Sequence, residues 1–137
     1  MDILIDTNLL LDLVLNREGA AIAKKIFLKA QANNDNVFIT ASAVTDLFYI
    51  IHRSLHDNEK TYEVMSDIFC LVNIIAVTEI DIMSAFFAKW KDFEDCVQFM
   101  AAENHGISYI IMRNIKDFAG RKNVILPEDY LTDNFSA

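Results

Sequence analysis

Near the start of the chain, the apolar run Ile3 to Ile5 stops at Asp6, passes through Thr7 and Asn8, and gives way to leucines at positions 9, 10, 11, 13 and 15. A short run without polar alternation is the pattern of a strand buried on both faces. The leucine-rich continuation after a brief polar turn reads as a helix. A strand covered on both sides needs helices above and below it, so this stretch points to an α/β fold with a mostly parallel sheet.

The rest of the chain repeats the alternation. Gly19 to Ala32 carries Ile22, Ile26, Phe27 and Ala30 at helical spacing, with Lys24, Lys25 and Lys29 on the other side. Asn33 to Asn36 reads as a turn and Val37 to Thr40 as a second strand. A helix is expected from Ser42 through Leu55 and another through Tyr62, Met65, Ile68, Phe69 and Val72. Asn73 to Val77 reads as a third strand. Thr78 suits the N-cap of a helix to about Lys89, and Asp92 that of a helix to His105, where Gly106 is a natural stop. Tyr109 to Met112 and Val124 to Leu126 complete the strands.

With 137 residues, 53% hydrophobic, three Gly and one Pro, the chain reads as a single ordered domain over 1–137, without linkers or repeats. The apolar start lacks a basic leader region and is broken by Asp2, Asp6, Asp12 and Asn16, so it does not read as a signal sequence. No run reaches the roughly 18 apolar residues of a membrane span, and a cytoplasmic protein without a membrane partner is the expectation. Cys70 and Cys96 lie in apolar stretches without metal-binding spacing and read as buried reduced thiols.

In open parallel sheets the ligand site lies beyond the carboxyl ends of the strands. Asp6 ends the first strand, Asp46 lies on the helix after the second, Asp92 and Asp95 open the helix that leads into the fourth, and Asn114 and Asp117 follow the fourth. Four segments thus deliver acids to one edge. Two carboxylates about 5 Å apart cost roughly 3 kcal/mol at an effective dielectric near 20, so such a cluster either shifts its pKa values or binds cations. Mg²⁺ and Mn²⁺ prefer oxygen ligands, which suits a ring of Asp without His or Cys, and one or two such ions make phosphodiester hydrolysis the reaction class. Within DFEDCVQFMAA, Asp92 reads as the helix cap, Asp95 as the metal ligand and Glu94 as solvated.

Taken in order, ILIDTNLLLDL, TDLFYII, DFEDCVQFMAA and IIMRNIKDF resemble the PIN-domain ribonucleases, and most of all the small VapC-like toxins of toxin–antitoxin systems, in the branch whose third motif reads DFEDA. The resemblance implies a three-layer α/β/α sandwich on a five-stranded parallel sheet, a Mg²⁺ or Mn²⁺ site and endonuclease cleavage of RNA. It makes Asp6, Asp46, Asp95 and Asp117 the catalytic and metal-binding acids, with Asn8, Asp92 and Asn114 as supporting residues. It also implies a cognate antitoxin that blocks the site, and a homodimer.

The net charge of −8 argues against a general nucleic-acid binder. Bound divalent ions would offset that charge at the site itself. Arg113, Lys116, Arg121 and Lys122 form a basic stretch that could guide an RNA backbone, and Arg17, Lys24, Lys25 and Lys29 form a second basic group. The main rival is a catalytically weak or inactive PIN-like module that binds RNA or protein, because Asp46 and Met112 stand where the family commonly has Glu and Thr or Ser. A haloacid-dehalogenase-like phosphatase would need an acid in place of Asn8.

Overall fold

The computed structural model describes residues 1–118 and 120–135. Strands β1 (Asp2–Ile5), β2 (Asn36–Thr40), β3 (Asn73–Ile75), β4 (Tyr109–Ile111) and β5 (Val124–Ile125) form a single sheet in the order β3-β2-β1-β4-β5, with every pair parallel. Helices α1 (Thr7–Val14) and α2 (Ala20–Asn33) connect β1 to β2, and α3 (Ala41–Leu55) and α4 (Asn58–Leu71) connect β2 to β3. Helices α5 (Glu79–Ala88) and α6 (Phe93–Asn104) lead to β4, and α7 (Pro127–Leu131) follows β5. Among the described residues no helix is long and apolar enough to cross a membrane.

The period of two along each strand sorts the core into two layers. Ile3 and Ile5 of β1 join Val37, Ile39, Tyr109 and Ile111 in a cluster with Leu9, Leu10 and Leu11 of α1, Ile26 of α2, Leu47 and Ile51 of α3 and Met65 and Ile68 of α4. Leu4, pointing the other way, joins Ile110, Met112 and Val124 in a second cluster with Phe99, Ala101 and Ala102 of α6. The sheet is therefore the middle layer of an α/β/α sandwich, as expected. Met112 is buried in the second layer at 3% exposure, so its thioether serves packing.

Several local expectations hold. Thr78 caps α5 through a complete capping box, its hydroxyl accepting from Asp81 N–H while the Asp81 carboxylate accepts from Thr78 N–H at 2.9 Å. Asp81 is fully buried and also accepts from Asn104, which ties the start of α5 to the end of α6. Burial alone would raise the Asp81 pKa, but these hydrogen bonds hold it below the ordinary carboxylate range.

One expectation is corrected. Cys96 is buried but Cys70 is exposed near the end of α4, because that helix buries the face of Met65 and Ile68 and leaves Phe69, Cys70 and Leu71 outside it. Phe86 and Phe87 on α5 are 59% and 70% exposed.

Candidate active site

Strand order reverses at β1: β2 lies on one side and β4, reached only after two more helix pairs, on the other. Ile5 pairs with Ile111, and Asp6 N–H continues the ladder by donating to Ile111 C=O at 3.0 Å. Asp6 and the residues after β4 therefore leave the sheet side by side, at the topological reversal where open α/β sheets bind ligands.

A cleft of about 540 Å³ opens at this edge. Asp6, Thr7, Asn8, Asp46, Asp92, Glu94 and Asp95 all contribute to its walls. Asp6 occupies the N-cap position of α1 in an extended conformation, yet its side chain completes no capping hydrogen bond. Burial raises its pKa, while the Asn8 side chain, the N–H groups of Asn8 and Thr7 and the charge of Arg113 act against that rise. The neighbouring Thr7 hydroxyl is buried without a hydrogen-bond partner.

Asp92 caps α6 as expected, accepting from Asp95 N–H at 2.9 Å. The cap fixes Asp95 as the third residue of the helix, with its carboxyl half-buried among other acids. Burial, followed by the charges of Asp92, Asp6, Glu94 and Asp117, pushes the Asp95 pKa up to about 6. Glu94 is exposed, as expected, and also lines the cleft, where burial of part of its carboxyl together with Asp46, Asp92 and Asp6 raises its pKa. Asp117 stands in a 3-10 turn, Lys116–Phe118, outside the walls of the cleft, although its charge reaches Asp95. Asn114 is also outside those walls and accepts from Lys116 N–H at 3.3 Å, which shapes the turn.

Among the described residues, no three acids converge tightly enough to grip one ion with their side chains as they stand. The donor set nevertheless suits a hard divalent cation, being all oxygen and without His or Cys, and a cation would offset both the burial and the neighbouring negative charges that raise Asp95 and Glu94.

The basic residues separate by surroundings. Arg113 reaches the Asp12 carboxylate at 2.9 Å and remains half-exposed. The Arg121 guanidinium lies over the rings of Phe99 and Trp90, 4.5 and 5.5 Å from their centres. Lys116 and Lys122 are exposed. From the second basic group, Lys29 is engaged by Tyr130 C=O and Asp133.

Sequence reasoning missed Tyr49 and Arg53, which line the cleft beside Asp46. The signal was present: positions 46, 49, 50 and 53 follow the i, i+3, i+4, i+7 spacing of one helix face, so an acid assigned to the site brings the others with it.

Residues 2–116 match the family defined as the PIN domain. This chain belongs to the PIN-domain family. Its fold is similar to a toxin–antitoxin complex chain from Klebsiella pneumoniae at 27% identity, TM-score 0.65, covering 90% of this chain and 96% of that one. It is also similar in fold to a chain of VapBC2 from Rickettsia felis bound to a DNA fragment from its promoter, at 16% identity, TM-score 0.67 and coverage of 92% and 97%. VapC20 of Mycobacterium tuberculosis, a toxin that cleaves the sarcin–ricin loop, aligns at 15% identity, TM-score 0.64 and coverage of 85% and 93%. No curated protein sequence gives a significant match.

Proposed function

We propose that this PIN-domain protein is a divalent-metal-dependent endoribonuclease and the toxin of a toxin–antitoxin pair. The observation that carries the reading is the gathering of Asp6, Asp46, Asp92, Glu94 and Asp95 in the walls of one cleft at the β1/β4 edge, where burial, followed by the charges of Asp92, Asp6, Glu94 and Asp117, pushes Asp95 up to about 6. Clustered, partly desolvated carboxylates in a cleft are kept at a cost in stability, which a cation-dependent role explains. PIN-domain nucleases generally use divalent metals.

In this reading Asp6, Asp46, Asp95 and Asp117 hold Mg²⁺ or Mn²⁺, as one or two ions, with Asn8 and Asn114 supporting them. A bound ion supplies Lewis-acid stabilisation of the phosphate oxygens in phosphodiester hydrolysis. The protein's own contribution is positional. Asp92 spends its carboxylate on the helix cap and so sets the direction of Asp95, while Asn8 faces Asp6 and steadies its carboxylate. Arg113, Lys116, Arg121 and Lys122 offer positive charge to the RNA backbone beside the acids.

The antitoxin is supported by the likeness to toxin–antitoxin complexes and by the acidic cleft, which would take a basic side chain from a blocking segment. A homodimer is part of the same reading, supported by the exposed Ile80, Phe86 and Phe87 of α5.

The test is incubation of purified protein with RNA in Mg²⁺, Mn²⁺ or EDTA, beside Asp6→Asn and Asp95→Asn. Cleavage that needs the metal and falls at least about 100-fold in both variants supports the reading. Cleavage unchanged in both variants would sink the site, and no cleavage by the wild type would favour a binding module.

A further inference from the structure

Asp12 is not accounted for by the cleft. It sits on α1 with its side chain only 3% exposed, and its counter-charge is Arg113, which follows β4 and is 49% exposed. The Nη1 to Oδ2 separation is 2.9 Å, yet Oδ2 receives no aligned hydrogen bond. The pair is therefore held by charge, with the guanidinium's N–H directions not committed to Asp12. Gly19 closes the third side. A side chain there would begin 2.3 Å from Asp12 Oδ2 and 3.3 Å from Arg113 Nη1, so the close packing around the pair depends on the absence of a Cβ.

The register gives this pair its meaning. Ile5 is paired with Ile111, so Asp6 leaves the sheet level with Met112, and Arg113 follows one residue later at the topological reversal, near enough for its charge to act on the Asp6 carboxyl. An arginine has five donors in a rigid fork, and one anchored by a buried carboxylate has already lost much of its rotamer freedom. We infer that Asp12 is a positioning residue: it anchors the Arg113 guanidinium outside the walls of the acidic cleft but within reach of the charge of Asp6, where the free N–H groups bind a phosphate of the nucleic-acid backbone beside the bond to be cut. This rests on the nuclease reading for the identity of the ligand. Only an arginine at position 113 combines the reach to Asp12 with donors left over for a phosphate, whereas Lys would supply a single charge centre.

The test measures binding of an end-labelled single-stranded RNA by fluorescence anisotropy, in an Asp95→Asn background so that binding is read without cleavage, across a salt series. Arg113→Ala is expected to weaken binding about 5- to 10-fold and to reduce the slope of log K against log salt by about 0.7, the value for one lost phosphate contact on a single strand. Asp12→Asn should reproduce most of both changes. The Asp12→Asn and Arg113→Ala double variant should bind no worse than Arg113→Ala alone, because the two act as a unit. Arg113→Lys should restore the salt slope more than the affinity.

A purely structural Asp12 would lower the melting temperature without changing the slope, and that result overturns the inference. So does an unchanged slope in Arg113→Ala, or additive losses in the double variant. If Asp12→Asn fails to fold, Gly19→Ala displaces the same carboxylate, and a folded Gly19→Ala that binds with the parental slope is equally contradictory. Failure of the nuclease reading appears separately, as a wild type that binds RNA with this salt dependence but never cleaves it.

Discussion

Asp6 at the end of β1 and Asp95 in the first turn of α6 share one cleft, and after burial and Asp92 the charge of Asp6 is the next cause that pushes the Asp95 carboxyl up to about 6. Two segments far apart in the chain are thus coupled through charge, and the coupling is open to measurement.

The first consequence is a pH dependence of stability. A carboxyl whose pKa rises from 3.8 unfolded to about 6 folded binds its proton more tightly in the native state. Below pH 3.8 both states are protonated; as pH climbs through the window to about 6 the folded state loses ground. Because Asp95 is only half-buried, solvent screening limits this contribution to about 1 kcal/mol. In EDTA the melting temperature of the wild type is expected to fall between pH 4 and pH 6.5 relative to that of Asp95→Asn, with the gap closing at the acid end. Parallel curves for the two proteins would contradict the charge coupling.

Divalent ions should reverse that loss. At pH 7 a ligand that binds only the folded state at about 100 times its dissociation constant adds roughly 2.7 kcal/mol. Mn²⁺ or Mg²⁺ should raise the melting temperature of the wild type at pH 7, raise it less at pH 5 where Asp95 is protonated, and leave Asp6→Asn nearly unchanged. Differential scanning fluorimetry with and without EDTA reads all three.

Gly19→Ala carries a separate prediction about packing. The new Cβ would meet the buried Asp12 carboxylate at 2.3 Å, while the backbone at φ −81 accepts Ala without strain. Steric displacement therefore adds to the cost of placing Ala instead of Gly at the N-cap of α2. A loss of about 1–3 kcal/mol is expected in urea unfolding. A stabilised Gly19→Ala would show that the carboxylate moves aside freely.

Asp81→Ala tests the tie between α5 and α6. It removes the N3 half of the capping box and leaves the Asn104 amide without its acceptor. About 1–3 kcal/mol of stability should be lost, with RNA cleavage per folded molecule unaffected because Asp81 does not line the cleft.

Much of the fold was legible because its signals are local. Buried strands read as unbroken apolar runs, and the caps Thr78 and Asp92 lie directly before the helices they start. The edge that gathers the acids followed from strand polarity alone. The five residues of α7 and the 3-10 turn Lys116–Phe118 were not foreseen, since elements this short carry no period to read. That the exposed Glu94 also lines the cleft was not legible, because its neighbours there, Asp46 and Asp6, come from other elements. The Asp12–Arg113 pair was invisible for the same reason: it depends on β4 lying beside β1, and strand order is a product of chain crossovers that no single stretch of sequence records.

The central claim is that Asp6 and Asp95 belong to one cation site, and calorimetric titration of Mn²⁺ into the metal-free protein at pH 7 tests it most directly. Saturable binding by the wild type that is lost, or weakened at least about 10-fold, in both Asp6→Asn and Asp95→Asn is the predicted result. Binding of equal affinity in all three proteins would contradict it.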